Sequence, residues 1–288
     1  MRGKTGRISD MARHRPQDSH ASKRYHDRVA SQYDAIYDDP FWEFHDEISW
    51  RLIKPYLPTD LSAACADLGC GTGKWGLKLL KSGFATTFLD NSAAMVGQVR
   101  QKLEEMGPKG RKGTGVVGDI VDMPDLADNA FSLLMAMGDP LSICSDAQRA
   151  VREMFRTLKA GGVAVATADN RLAGMDYYIE RGNLDALEEF IQTGRTRWLT
   201  AEEAERFELM TFTPAQLRKL FESAGFEVLK ITGKTILPIR QNRKLLDYPH
   251  AMERLLRLEM ELQKDPSSAG RSGHLQIAAR KSIVLPTP

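Results

Sequence analysis

Ala66-Asp67-Leu68-Gly69-Cys70-Gly71-Thr72-Gly73 closes a short apolar run at 63–68 and leads into a helical pattern at 77–81. Glycines at alternate positions let a backbone turn tightly and approach a ligand with no Cβ in the way. The helix that follows presents unpaired N–H groups at its start. Gly71-Thr72-Gly73-Lys74-Trp75-Gly76 also matches G-x-G-x-x-G by register. In a dinucleotide-binding turn, however, the first glycine follows the strand directly, and here Gly69 holds that place. Outward from this turn the periodicity predicts strands at 85–89, 115–118, 130–137 and 163–168. The helices between them fall at 92–105 and 146–158, with a loop at 106–115. Ser92 and Thr213 are suited to cap helices, and Gly161-Gly162 to end one. Short apolar runs alternating with helical patterns indicate an α/β chain with a mostly parallel sheet.

The alternation then breaks. Residues 171–212 hold helical patterns and a hairpin pairing 196–200 with 206–213, before a helix at 214–224 and a strand at 226–232. A helix at 241–264 and a last strand at 274–281 complete the chain. Segments 25–57, 171–212 and 238–270 are read as a lid on one domain spanning 25–288.

Composition is that of a globular protein, with 42% hydrophobic and 27% charged residues among 288. The net charge of +2 hides an asymmetry. Residues 1–24 sum to +5 and the remainder to −3. A segment this basic and this poor in large apolar side chains reads as a disordered tail, or as an arm for RNA or an acidic partner. A near-neutral body argues against a nucleic-acid substrate. No run of 18 apolar residues is present and the N-terminus lacks an apolar stretch, so neither a membrane span nor a secretory signal is expected. Cys65, Cys70 and Cys144 have no metal-binding spacing, which suits free thiols in a reducing cytosol and no metal site.

Three carboxylates give the glycine turn its chemistry. Asp90 ends the second strand, where a carboxylate can accept both hydroxyls of a ribose. Asp119 ends the third in Gly118-Asp119-Ile120, where it can accept from an adenine amine while Ile120 packs on the ring. Asp67 precedes the turn. It would repel a pyrophosphate but suits a ligand bearing a sulfonium and an amine.

With these residues the chain resembles the class I S-adenosylmethionine (SAM)-dependent methyltransferases. The match runs through Asp67–Gly73, Asp90, Gly118-Asp119-Ile120, the 131–136 strand and Arg156-Thr157-Leu158-Lys159-Ala160-Gly161-Gly162-Val163. The resemblance implies a Rossmann-like seven-stranded sheet of order 3-2-1-4-5-7-6, with the last strand antiparallel and helices on both faces. It also implies SAM as cofactor and S-adenosylhomocysteine as product. Tyr33-Asp34 is similar to the family's pair that closes over SAM, and Tyr25 lies two turns earlier. The implied cofactor residues are therefore Tyr25, Tyr33, Asp67, Gly69, Gly71, Gly73, Asp90, Asp119, Ile120 and Met137.

The donor is already activated, so such an enzyme mainly positions an acceptor and excludes water. Gly138-Asp139-Pro140-Leu141 lacks the aromatic with which base-modifying relatives stack a flipped base, and no Pro-Cys or Thr-Cys nucleophile is present. Aromatics crowd the lid instead: Tyr37, Phe41, Trp42, Phe44 and Trp50 before the core, and Tyr177, Tyr178, Trp198, Phe207, Phe212 and Tyr248 in the insertions. Tyr37, Trp42, His45, Tyr177, Tyr178 and His250 are the candidate acceptor-binding residues. Candidate general bases are His45, His250, Asp139 and Asp169. The expectation is a cytosolic enzyme of secondary metabolism, monomeric or homodimeric, that methylates O, N or C of a small aromatic or hydrophobic metabolite. The alternatives are an RNA or protein methyltransferase using the basic tail, a SAM-binding regulatory protein without catalysis, and, most distantly, an NAD-dependent enzyme.

Overall fold

The computed structural model describes residues 20–198 and 202–282. The N-terminal segment forms helices α1 (Ala21–Val29), α2 (Tyr33–Ile36) and α3 (Pro40–Ile53). Strand β1 (Ala64–Leu68) then leads through the glycine turn to α4 (Lys74–Lys81). After it come β2 (Ala85–Asp90), α5 (Ala93–Glu105), β3 (Gly113–Val117) and β4 (Phe131–Ala136). Next are α6 (Pro140–Ile143), α7 (Ala147–Thr157) and β5 (Leu158–Asp169). An insertion of α8 (Arg171–Glu180), α9 (Leu184–Thr193) and the hairpin β6 (Arg195–Trp198) with β7 (Phe207–Met210) precedes α10 (Pro214–Glu222). The chain ends in β8 (Phe226–Lys234), α11 (Ala251–Leu262) and β9 (His274–Lys281).

The seven-stranded sheet runs β3-β2-β1-β4-β5-β9-β8. With the hairpin set aside, this is the expected 3-2-1-4-5-7-6 order. β1 to β5 pair in parallel, and β9 is antiparallel to both neighbours. Strands in such a sheet are apolar on both faces because helices cover both. β4 shows the period of two: Leu133 and Met135 pack with Trp75, Leu79 and Ile53 on one face. Leu134 and Ala136 pack with Val151, Met154, Leu217 and Phe221 on the other. Ser92 accepts from the Met95 amide, and Thr213 forms a capping box with Gln216, so the caps stand where the sequence placed them.

Three expectations are corrected. Gly161-Gly162 does not end α7; that helix stops at Thr157 and the glycines lie inside β5. Gly161 takes φ +78, and a Cβ on Gly162 would stand 2.9 Å from Leu158 Cδ2, so the pair serves an irregularity in a long strand. The helix expected over 241–264 is a 3-10 segment, Ile239–Asp247, and then α11. Pro249 separates them: it offers no N–H and holds Tyr248 extended. Residues 20–24, expected in the tail, instead open α1, with Ala21 buried. The rest of that tail, 1–19, lies outside the described residues.

The expected lid segments pack in two places. α11 and the 3-10 segment sit on α3, with Phe41, Phe44, Ile48 and Leu52 meeting Ile239 and Leu256. α1 instead lies between the core and the hairpin: Asp27 accepts from Ser92 Oγ at 2.5 Å, and Arg28 grips both oxygens of Glu205 at 2.6–2.9 Å. No helix among the described residues is long and apolar enough to cross a membrane.

Candidate active site

The parallel strands end at one edge, where the glycine turn opens a cavity of about 280 Å³. Gly69, Gly71 and Gly73 all take positive φ, at +65°, +53° and +89°. A Cβ on Gly69 would press to 2.7 Å from Pro140 Cβ, so only glycine lets the turn pass α6. Asp90 stands behind the turn, with Oδ2 accepting from the Gly71 amide at 2.8 Å and Oδ1 from the Ser92 amide at 2.9 Å. Burial pushes its carboxyl above the ordinary range. Each oxygen keeps a further lone pair for a ligand hydroxyl. Asp119, partly exposed, and the buried Ile120 lie at the same end, and Met137 closes the floor.

The Tyr33-Asp34 pair fastens the N-terminal segment over the turn. Asp34 accepts from Thr72 Oγ1 at 2.5 Å and from Lys102 Nζ at 2.6 Å, and Lys102 also reaches the Thr72 carbonyl at 2.9 Å. A Cβ on Gly71 would lie 3.8 Å from the Tyr33 ring, so this turn and that ring face one another across a gap. Aromatic rings continue in a row. Trp198 stacks on Phe207, and Tyr25 meets both, with centroids 6.1–6.3 Å apart. Tyr33 meets Tyr37 at 5.0 Å, Tyr37 meets Trp42 at 4.9 Å, Trp42 meets His45 at 5.4 Å and His45 meets His274 at 5.4 Å.

The far end is ionic. His274 Nδ1 lies 2.9 Å from Asp139 Oδ2, off the N–H axis, and 3.7 Å from Asp169 Oδ1. Asp139 is in the left-handed region at φ +63, uncommon for a residue with a side chain but one that Asp adopts more readily than most. Thr167 Oγ1 fixes it by accepting the Gly138 and Asp139 amides at 3.1 and 2.9 Å. The neighbouring charges, His274 first, hold Asp139 well below the ordinary carboxylate range despite its burial. Burial and the Asp139 charge push Asp169 up to about 6. Lys234, 1% exposed, donates toward His45 Nε2 and Ser49 Oγ, both at 3.3 Å. Asp139, Asp169 and His274 offer the donor types a divalent cation takes, and the fully buried Lys234 beside them has its pKa lowered by burial.

Of the sequence candidates, the cavity gathers Tyr25, Tyr33, Tyr37, Trp42, His45, Gly69, Gly71, Asp90, Asp119, Ile120, Met137, Asp139 and Asp169. Five stand elsewhere. Asp67 is fully buried beneath the turn, where Oδ2 accepts from the Gly76 amide at 2.7 Å while Oδ1 has no partner. Gly73 turns toward Val99 and Phe88. His250 is exposed at the head of α11, which leans on α3 rather than on the cavity. Tyr177 is exposed under Arg181, and Tyr178 is spent on Thr196 and Phe190. Aromatic density in a sequence does not say which side of an insertion faces the sheet. Sequence reasoning also missed Asp46, Lys74, Lys234 and His274. One signal was available for His274: in an antiparallel last strand the first residue, not the last, reaches the edge where the parallel strands end.

Residues 65–162 match the family model for a methyltransferase domain. This domain belongs to the class I SAM-dependent methyltransferases. The matched span holds the glycine turn, Asp90, Asp119 and Asp139, and SAM is the cofactor. A SAM-dependent methyltransferase of Methanosarcina mazei is similar in structure, with TM-score 0.58, 20% identity, and coverage of 81% of this chain and 97% of that one. A geranyl diphosphate methyltransferase, solved with its diphosphate and sinefungin, aligns with TM-score 0.55 at 14% identity over 82% and 78%. The [4+2]-cyclase SpnF aligns with TM-score 0.59 at 19% identity over 93% and 97%. At these identities the likeness is one of fold, and it includes a chemistry other than methyl transfer. The comparison with curated proteins found no match.

Proposed function

We propose that the methyltransferase acts on a small aromatic or hydrophobic acceptor seated along the aromatic row. The observation that carries this reading is that the glycine turn with Asp90 and the row from Tyr33 to His274 line one cavity. In it, Gly69 and Gly71 admit the cofactor's amino-acid portion, Asp90 accepts its ribose hydroxyls, Asp119 its adenine amine, and Ile120 and Met137 its ring. Bound SAM supplies a methyl group already activated by its sulfonium. The chain's part is to hold the acceptor against that methyl and keep water out, which the α1 strap and the rings do. Three cysteines without disulfides support a cytosolic location. The test is incubation with tritiated-methyl SAM and a small-molecule extract. Label in a small product supports the reading; label only in RNA or protein, lost when residues 1–19 are removed, moves it to the tail-assisted alternative. SAM binding with no labelled product at all leaves a regulatory protein.

A further inference from the structure

Two histidines stand ring to ring at the ionic end, and their nitrogens are not equivalent. An ammonium can only donate, so the Lys234 contact makes His45 Nε2 an acceptor and puts its ring proton on Nδ1, 3.3 Å from Asp46 Oδ1. Asp46 is in turn held by Lys74 at 2.7 Å. Both His45 nitrogens are therefore engaged, and burial with the Lys234 charge brings its pKa down to about 3. His45 is a wall, not a base.

His274 is arranged the other way. Its Nδ1 is fully buried against Asp139 and Asp169, which as carboxylates can only accept. Proximity to these negative oxygens favours the ring proton on Nδ1, which leaves the lone pair on Nε2. The side chain keeps 23% of its surface, and it lines the cavity, so its open edge is the Nε2 edge.

We propose that His274 is the catalytic proton acceptor of this methyltransferase, that Asp139 is its positioning residue, and that the acceptor is a phenolic hydroxyl. The proposal rests on the small-acceptor reading above. A phenol fits both ends of the chamber: its ring lies among Tyr37 and Trp42, and its O–H meets Nε2. Asp169 beside the base disfavours a phenolate arriving from solvent, so the neutral phenol enters and is deprotonated in place. The O–H proton passes to Nε2 and its bonding pair forms the bond from oxygen to the methyl carbon. The carbon–sulfur pair returns to sulfur, which becomes a neutral thioether. The imidazolium then gives its proton to water. Asp139 and Asp169 stabilise that cation, and the nearby Lys234 charge opposes it. His45, uncharged near neutrality, adds only contact.

The test uses the full chain with S-adenosylhomocysteine bound. Ring-nitrogen NMR is expected to find the His274 proton on Nδ1 in the neutral form. With labelled SAM and a small-molecule extract, label is expected in a phenol ether, at a rate that rises with pH through the His274 transition. His274→Gln should lower that rate about 100-fold or more, the usual worth of a positioned base, with S-adenosylhomocysteine affinity within about twofold. Asp139→Asn removes a charge that raises the His274 pKa, so it should move the NMR transition and the rate transition together to lower pH. The proposal is overturned if His274→Gln keeps the rate within threefold, if the neutral ring carries its proton on Nε2, if manganese broadens the His274 signal and raises the rate, or if label settles on carbon or a thioether. No label in any small molecule instead removes the small-acceptor reading, and the proposal with it.

Discussion

Asp90 Oδ2 accepts the Gly71 amide at 2.8 Å, so the carboxylate proposed to hold the ribose also braces the glycine turn. Asp90→Ala therefore removes two things at once. Loss of charge-assisted bonds to a ligand costs about 1.5–3 kcal/mol, which is roughly a 10- to 150-fold rise in the SAM dissociation constant. The Gly71 and Ser92 amides also lose their acceptor, so the ligand-free protein should melt earlier. Calorimetry and a thermal melt check the two effects separately. Unchanged affinity with a lowered melting point would confine Asp90 to bracing.

The glycines divide by what surrounds them. A Cβ at position 76 would stand 2.3 Å from Phe88 Cε1, with Asp67 Oδ2 at 3.0 Å, so Gly76→Ala must move a buried ring. Overpacking of this kind costs about 1–3 kcal/mol. Gly97 sits exposed within α5 with nothing within 4 Å of its Cβ direction. Gly97→Ala should be stabilising by about 0.4–1 kcal/mol. Urea unfolding of the two variants should shift in opposite directions.

Much of the fold was legible because parallel strands buried on both faces leave dense apolar runs, as at Leu133 to Ala136, and because Ser92 and Thr213 cap where their side chains permit. That Gly69, Gly71, Asp90 and Asp119 share one cavity was legible for a related reason: they lie at the ends of the parallel strands, where that cavity opens. The acceptor end was not. Lys234 meets His45 across 189 positions of sequence, and His274 meets Asp139 only because β9 runs antiparallel. His250 and Tyr177 carried the same residue-type signal as His45 and Tyr37, but the packing of α11 on α3 leaves His250 outside the cavity, and Tyr177 on α8 is exposed under Arg181.

The strap over the turn should govern exchange more than stability. Asp34 is 55% exposed at its side chain, so its ion pair with Lys102 contributes only about 0.5 kcal/mol to folding. Its bond to Thr72, however, ties α2 to the glycine turn. Asp34→Ala should speed S-adenosylhomocysteine release several-fold and leave the melting point nearly unchanged. Stopped-flow displacement measures the release. A rate equal to the wild type would mean that Tyr33 and α1 hold the strap unaided.

Asp67 gives the fold a pH dependence of definite sign. Burial pushes its carboxyl up to about 7 from an ordinary value of 3.8, against the single opposing bond from Gly76. Between those two values the folded chain binds the proton and the unfolded chain does not, so this residue makes stability fall as pH rises, with the full cost reached above about 7. Each unit of raised pKa corresponds to about 1.4 kcal/mol. Asp169 and His274, also raised, act in the same direction, so the wild-type slope alone does not isolate Asp67. Asp67→Asn does: its carbonyl oxygen still accepts the Gly76 amide, and the buried charge is gone. Urea unfolding from pH 5 to 8 should show the variant gaining on the wild type as pH rises. Parallel curves would mean that Asp67 ionises as readily in the folded chain as in the unfolded one.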